Sequence, residues 1–209
     1  MLHFAAPSLL VASTLVASAL LPVATVAQDA ETAPAAVAKG VTAYTIDDVH
    51  SCALFRVKHA AASQFWGRFN DVSGTFTVAD DPTRMAFSVE IKVDSIDTAE
   101  PRLDGHLKSP DFFNSAEFPT MTFASKSAKK AAGENMFEVA GDLTMHGVTK
   151  AITAMVELTG VSDMMGGRAG IEAIFTVKRS EFGMTYGVEK GAIGDDVRVV
   201  VNLEGVQAK

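Results

Sequence analysis

From Val41 onward the chain alternates apolar and polar positions with a period of two. Phe87-Ser88-Val89-Glu90-Ile91-Lys92-Val93-Asp94 is the clearest case, with every odd position apolar and every even one polar. Successive side chains of a strand point to opposite faces, so this segment predicts a strand with one dry and one wet side. The pattern recurs in Leu54–His59, Thr75–Val78, Thr120–Ser125, around Phe137 and Val139, in Ile152–Leu158, in Ile171–Val177 and in Val197–Leu203. In the last three, the wet positions include Met155, Ile174 and Val200.

These are about eight strands, the number that closes a barrel able to be filled by side chains or to hold one small ligand. Uniform alternation fits antiparallel pairing, because buried parallel strands read as solid apolar runs. Closure removes exposed edges. Turns are expected at Asp71-Val72-Ser73-Gly74, Asp80-Asp81-Pro82, Gly133-Glu134-Asn135 and Gly166-Gly167. The fold class expected is therefore all-β, a closed antiparallel β-barrel.

One stretch departs from the period. Around residues 98–114, Arg102, Leu103, His106 and Leu107 stand at helical spacing, and Ser109-Pro110-Asp111 has the form of a helix start. A short helical insertion capping one barrel end is expected there.

Before this body, Leu9–Leu21 is almost wholly apolar, Pro22 breaks it, and Thr25-Val26-Ala27 has the form of a small-residue cleavage site. Residues 1–27 are thus expected to be a signal peptide, residues 28–40 an Ala-rich flexible linker, and residues 41–209 the barrel domain. An uncleaved anchor is the competing reading, since Leu9–Ala27 just reaches spanning length. Cleavage predicts an exported protein, periplasmic or secreted, with no stable membrane insertion afterwards.

The 209 residues are 48% hydrophobic and 21% charged, a globular composition, and carry a formal net charge of -7. An acidic chain lacks the concentrated basic face that nucleic acid requires. Its basic residues are scattered along the sequence, which predicts no polybasic membrane contact. The single cysteine, Cys52, excludes an intrachain disulfide and reads as a small apolar strand residue.

Little in the chain points to chemistry. His50, His59, His106 and His146 form no metal-ligand spacing, and hydrolase and phosphate-loop motifs are absent, so no metal, cofactor or catalytic residue is expected. The carboxylate pairs Asp47-Asp48, Asp80-Asp81 and Asp195-Asp196 read as turn residues. Thirteen Phe and nine Met against two Tyr suit an adaptable apolar cavity. Phe55, Val57, Phe69, Phe76, Phe87, Val89, Ile91, Phe112, Phe113, Met121, Phe123, Phe137, Phe175, Phe182 and Met184 are the expected cavity lining, with Phe65 and Trp66 on the same inward surface. The competing reading has these side chains filling the barrel solid. Arg102, His106 and Lys108 are candidates for a polar or phosphorylated head group at the pocket mouth.

Several ordered motifs resemble the YceI-like family. They are Tyr44-x-Ile46-Asp47, His50-Ser51, Phe55-x-Val57-x-His59, Gly67-x-Phe69 and Gly74-x-Phe76, then Asp104–Phe113 and Phe118-Pro119-x-Met121-x-Phe123-x-Ser125. Gly141-x-Leu143-Thr144-x-His146-Gly147-Val148-Thr149-Lys150, Arg179–Met184 and Ile193–Val197 complete a series running from about residue 44 to 204. The resemblance implies a lipocalin-like barrel in the periplasm that binds a polyisoprenoid or other long-chain lipid, and it admits a homodimer. It carries over no catalytic residue. In many members Arg directly precedes the Asp of the helical motif; here Leu103 intervenes and Arg102 stands one place earlier. Trp66 is bulkier than the family's usual residue and is expected to shorten the cavity. Two further functions stay in view: an enzyme acting on a lipid- or quinone-like substrate through His59, His106 or His146, and a ligand-free stress-response module.

Overall fold

The computed structural model describes residues 40–209. The expected signal peptide and all of the linker except Gly40 lie outside the described residues.

One antiparallel sheet comprises β1 (Val41–Ile46), β2 (Cys52–His59), β3 (Ser63–Phe69), β4 (Val72–Ala79), β5 (Ala86–Lys92), β6 (Ile96–Asp97), β7 (Thr120–Lys130), β8 (Met136–Met145), β9 (Val148–Ser162), β10 (Arg168–Lys178) and β11 (Ile193–Gln207). Three strand paths are each broken in two. β1 and β2 both run along β11, with Ile46 opposite Gly205 and Cys52 opposite Asn202. β3 pairs β2 while β4 pairs β1, and β6 pairs β3 while β5 pairs β4. With the five unbroken strands this makes eight paths. The ring closes because β1 pairs both β4 and β11. The expected eight-stranded antiparallel barrel is the observed one, with each path beside its sequence neighbour.

One end of the barrel gathers residues 60–62, the 98–119 connection with α1 (Pro101–Lys108), the His146-Gly147 turn and residues 179–192. The opposite end gathers residues 80–85, 131–135 and 163–167. His146 and Gly147 have φ of 51° and 73° between Met145 and its partner Val148, the two-residue primed turn that matches strand twist.

The opposite end is solid. Tyr44 stacks on Phe76 with ring centroids 5.2 Å apart, and Phe76 on Phe87 at 6.1 Å. Met85, Ala128, Phe137, Val139 and Ala169 are buried in the same cluster. Gly205 makes room for the rings, since a Cβ there would lie 2.6 Å from the Phe76 ring. Phe76 and Phe137 therefore pack in the closed end, away from the cavity they were expected to line.

Trp66 also departs from expectation. In β3 the buried Gly67 and Phe69 face inward with half-buried Phe65, and a Cβ at Gly67 would overlap the Phe55 ring. The strand's parity then turns Trp66 outward, 45% exposed, so it cannot shorten the cavity. Two local expectations also change. The helix starts at Pro101, where the Glu100 carboxylate accepts the Arg102 N–H and Pro occupies the first turn. Pro110 instead follows its end, with Ser109 extended at ψ 168° as a residue before proline prefers. Val72-Ser73-Gly74 is strand, and only Asn70 and Asp71 break that path.

Candidate functional site

The half of the barrel toward α1 holds a cavity of about 160 Å³. Its walls are the inward residues of the strands, its floor is Phe87 and Val139 above the packed end, and its roof is Leu107, Phe112, Phe113, Met184, Arg179 and Ile193. Phe55, Val57, Phe69, Phe87, Val89, Ile91, Phe112, Phe113, Met121, Phe123, Phe175 and Met184 all lie on this surface, where alternation put them. Phe182 does not. It is buried in the 179–182 turn, and its carbonyl accepts a 2.9 Å bond from His146 Nδ1. The aliphatic wall of Ile152, Ala154, Val156, Ala173, Val197, Val199 and Val201 completes the lining.

Burial differs around the wall. The inward residues Ala154 and Val156 in the middle of β9 are buried. Phe55, Val57, Ala173, Phe175, Val197 and Val199 on β2, β10 and β11 are only half-buried although they point inward. Inward-facing apolar side chains that keep accessible surface face space, not one another. Among the described residues Arg179 is the only charged residue on the lining, and Thr122, which alternation turns to the exposed face of β7, is the only other polar one.

Arg179 continues the inward parity of Ile171, Ala173, Phe175 and Val177, and it is 4% exposed. Its guanidinium donates to main-chain carbonyls: Nε to Gly194 at 2.8 Å, Nη1 to Met184 at 3.0 Å, and Nη2 to Tyr186 and Ile193 at 2.8 and 3.0 Å. Burial pulls its pKa down, and Asp195 opposes that shift. The Asp195 carboxylate accepts from Ser180 N and Oγ, both at 2.9 Å. Burial pushes this carboxyl up, but the Ser180 bonds together with Lys178 and Arg179 outweigh it, leaving the pKa low. Arg179 thus straps residues 184–194 across the roof, and its donors point to that strap. The sequence signal for it was parity, which places an Arg on the dry face two residues after Val177.

Phe112, His106 and Tyr186 meet over the roof, with centroid separations of 5.0 to 5.2 Å. His106 Nε2 lies 3.2 Å from Asp111. The head-group candidates are spread out. Arg102 is exposed on α1, Lys108 is half-buried, His106 touches Phe112 from outside, and none of the three lines the cavity. His50, His106 and His146 have separate partners, and no two histidine rings touch among the described residues. His50 belongs to a cluster at the β1–β2 break with Asp47 and Glu204. Arg168 Nη1 sits among them, 2.7 Å from Asp47 and 3.1 Å from Glu204, so the cluster is an ion-pair clamp across the break. Arg168 and His50 hold the Asp47 carboxyl below the usual range.

A cavity walled by apolar side chains, closed at one end and roofed at the other under Arg179, can hold a hydrocarbon chain, and among the described residues no nucleophile converges with an acid or base on it. Comparisons with known proteins agree with that architecture. A family model described as the YceI-like domain matches residues 44–205. Protein YceI of Salmonella newport is 37% identical over 163 residues, covering 77% of this chain and 83% of that protein. A Campylobacter jejuni YCEI protein of known crystal structure superposes with a TM-score of 0.62 at 29% identity, covering 73% of this chain and 90% of that one. A polyisoprenoid binding domain from Saccharophagus degradans superposes with a TM-score of 0.61 at 18% identity, covering 80% and 99%, a likeness of fold. With its barrel, its motifs and a family match over residues 44–205, the chain belongs to the YceI-like family.

Proposed function

We propose that this protein binds one long apolar chain, a polyisoprenoid or similar lipid, in the barrel cavity and carries or sequesters it without chemical change. The observation that carries this reading is the half-buried apolar wall of β2, β10 and β11 around a cavity of about 160 Å³. Family membership and the polyisoprenoid-binding neighbour of the same fold support it. Burying roughly 400 Å² of hydrocarbon gives about 10 kcal/mol gross at ~25 cal/mol per Å². Ordering the chain and losing its free motion offset several kcal/mol of that, which leaves micromolar to nanomolar affinity. Carriage of such a ligand fits an exported, periplasmic protein, the location the apolar segment Leu9–Leu21 predicts.

The test is uptake of a polyprenyl phosphate by solvent-extracted protein, followed by thermal unfolding. Stoichiometric uptake and a ligand-dependent rise in Tm are expected. Absence of both, with the barrel intact by circular dichroism, overturns the proposal.

A further inference from the structure

The basic residues that look scattered along the sequence converge on one outer face of the barrel. Cross-strand register places Trp66 opposite Arg56, and Arg56 opposite Arg198. One row away, Arg68 stands opposite Leu54, and Leu54 opposite Val200. Val200 continues to Ile174 and Ile174 to Met155, so an aliphatic row crosses four strands on the side that alternation makes wet. Lys58 lies beyond Arg56 on the same side of β2. The outer face of β3, β2 and β11 therefore carries four cations and a tryptophan, beside an aliphatic band that runs from β2 and β11 on to β10 and β9, where Glu172 and Glu157 flank it.

The charges are largely uncompensated. Arg198 has no ion-pair or hydrogen-bond partner among the described residues, and Arg56 has its guanidinium 5.7 Å from the Trp66 ring with Nε buried and unpaired. Lys58 Nζ donates to the Ala62 carbonyl. Arg68 lies 3.5 Å from Asp97, and Asp196 at the border is held by Lys178 at 3.0 Å. Two arginines directly opposite each other on one sheet face repel, a local cost to folding. The patch also borders the roofed end, since β2 and β3 join at residues 60–62.

We propose that this face docks the protein on an anionic phospholipid surface, with Arg56, Arg198, Arg68 and Lys58 among the head groups and Trp66 at the interface. Charge complementarity selects that occupant. Guanidinium groups pair phosphate bidentately, and an indole with one polar edge seats at the head-group level. The aliphatic row gives the apolar contact below. The inference does not depend on what occupies the cavity.

Trp66 is the protein's one tryptophan, so its emission reports this face alone. The experiment titrates the full-length protein with vesicles of mixed phosphatidylglycerol and phosphatidylcholine, and with pure phosphatidylcholine, following Trp66 emission and co-sedimentation. A blue shift and co-sedimentation are expected with the anionic vesicles only, both abolished in molar salt, where screening acts within about 3 Å. Arg56→Gln with Arg198→Gln is expected to weaken partitioning roughly 30-fold, as removal of two surface cations requires. Lys58→Gln with Arg68→Gln is a second pair with the same expectation, should the first misfold. The proposal fails if emission is unmoved by anionic vesicles, or if binding is equal on neutral ones or unaffected by either pair, as attachment through the apolar segment near the N-terminus would be. It fails equally if inorganic phosphate alone produces the emission change without vesicle binding, because the face would then be an isolated anion site.

Discussion

Replacing Ala173 by phenylalanine separates a barrel with interior space from one packed solid. Ala173 lies on β10 between Val201 and Val156, points inward, and is half-buried on the cavity wall. The substitution adds six ring carbons. In solvent-extracted protein a cavity of about 160 Å³ costs about 4 kcal/mol at ~24 cal/mol per Å³. Six apolar carbons are worth up to about 5 kcal/mol at ~0.8 kcal/mol each. Fixing the ring and imperfect fit reduce that to the ~0.5–2 kcal/mol typical of cavity filling. For a domain of this size, that raises Tm by roughly 1–8 °C. The ligand must then compete for the same space at ~1–3 kcal/mol, a loss of roughly 5- to 150-fold in affinity. Calorimetry of extracted protein and titration with a polyprenyl phosphate measure the two effects. A lower Tm by the ~1–3 kcal/mol of overpacking, with ligand uptake unchanged, would refute the reasoning.

Other substitutions test the frame around the cavity. Arg179→Met leaves the carbonyls of Met184, Tyr186, Ile193 and Gly194 without their donor, and is expected to destabilise by about 3 kcal/mol or more in urea unfolding, with Arg179→Lys recovering only part because it lacks the forked geometry. Gly141→Ala puts a Cβ against the Ala124 carbonyl and the Phe123 ring, an overlap expected to cost about 1–3 kcal/mol by the same measurement. The Asp47 carboxyl is held low in the folded state by Arg168 and His50, so its contribution is present above the unfolded value of ~3.9 and is lost as pH falls below that toward the depressed folded value. Asp47→Asn should therefore flatten the acid limb of the stability curve below about pH 4 and leave its slope near neutrality unchanged, as followed by Tm against pH.

The barrel was legible wherever hydropathy and facing agree. The strand of Phe87–Lys92 and the long pair of β9 and β10 announce themselves, because each inward position is aliphatic or aromatic. β3 is hidden for a physical reason. Its inward position is Gly67, reserved for the Phe55 ring, and its outward position is Trp66, so hydropathy there runs against facing. The breaks at residues 47–51 and 93–95 depend on long-range pairing with β11 and β7 that no local pattern encodes. Most of the cavity lining followed from parity. What parity omits is depth: Phe76 and Phe137 share the inward face, and only register places them in the packed end. Met155, Ile174 and Val200 read as isolated lapses in alternation, yet register aligns them into one row.

Native mass spectrometry of the full-length protein purified from its own host, before and after organic extraction, tests the lipid-carrier reading most directly. The reading predicts a complex heavier than the polypeptide by one long hydrocarbon molecule, released on extraction and regained from the extract. A mass equal to the polypeptide alone before extraction, with the extract and added polyprenyl phosphate both failing to bind, would contradict it.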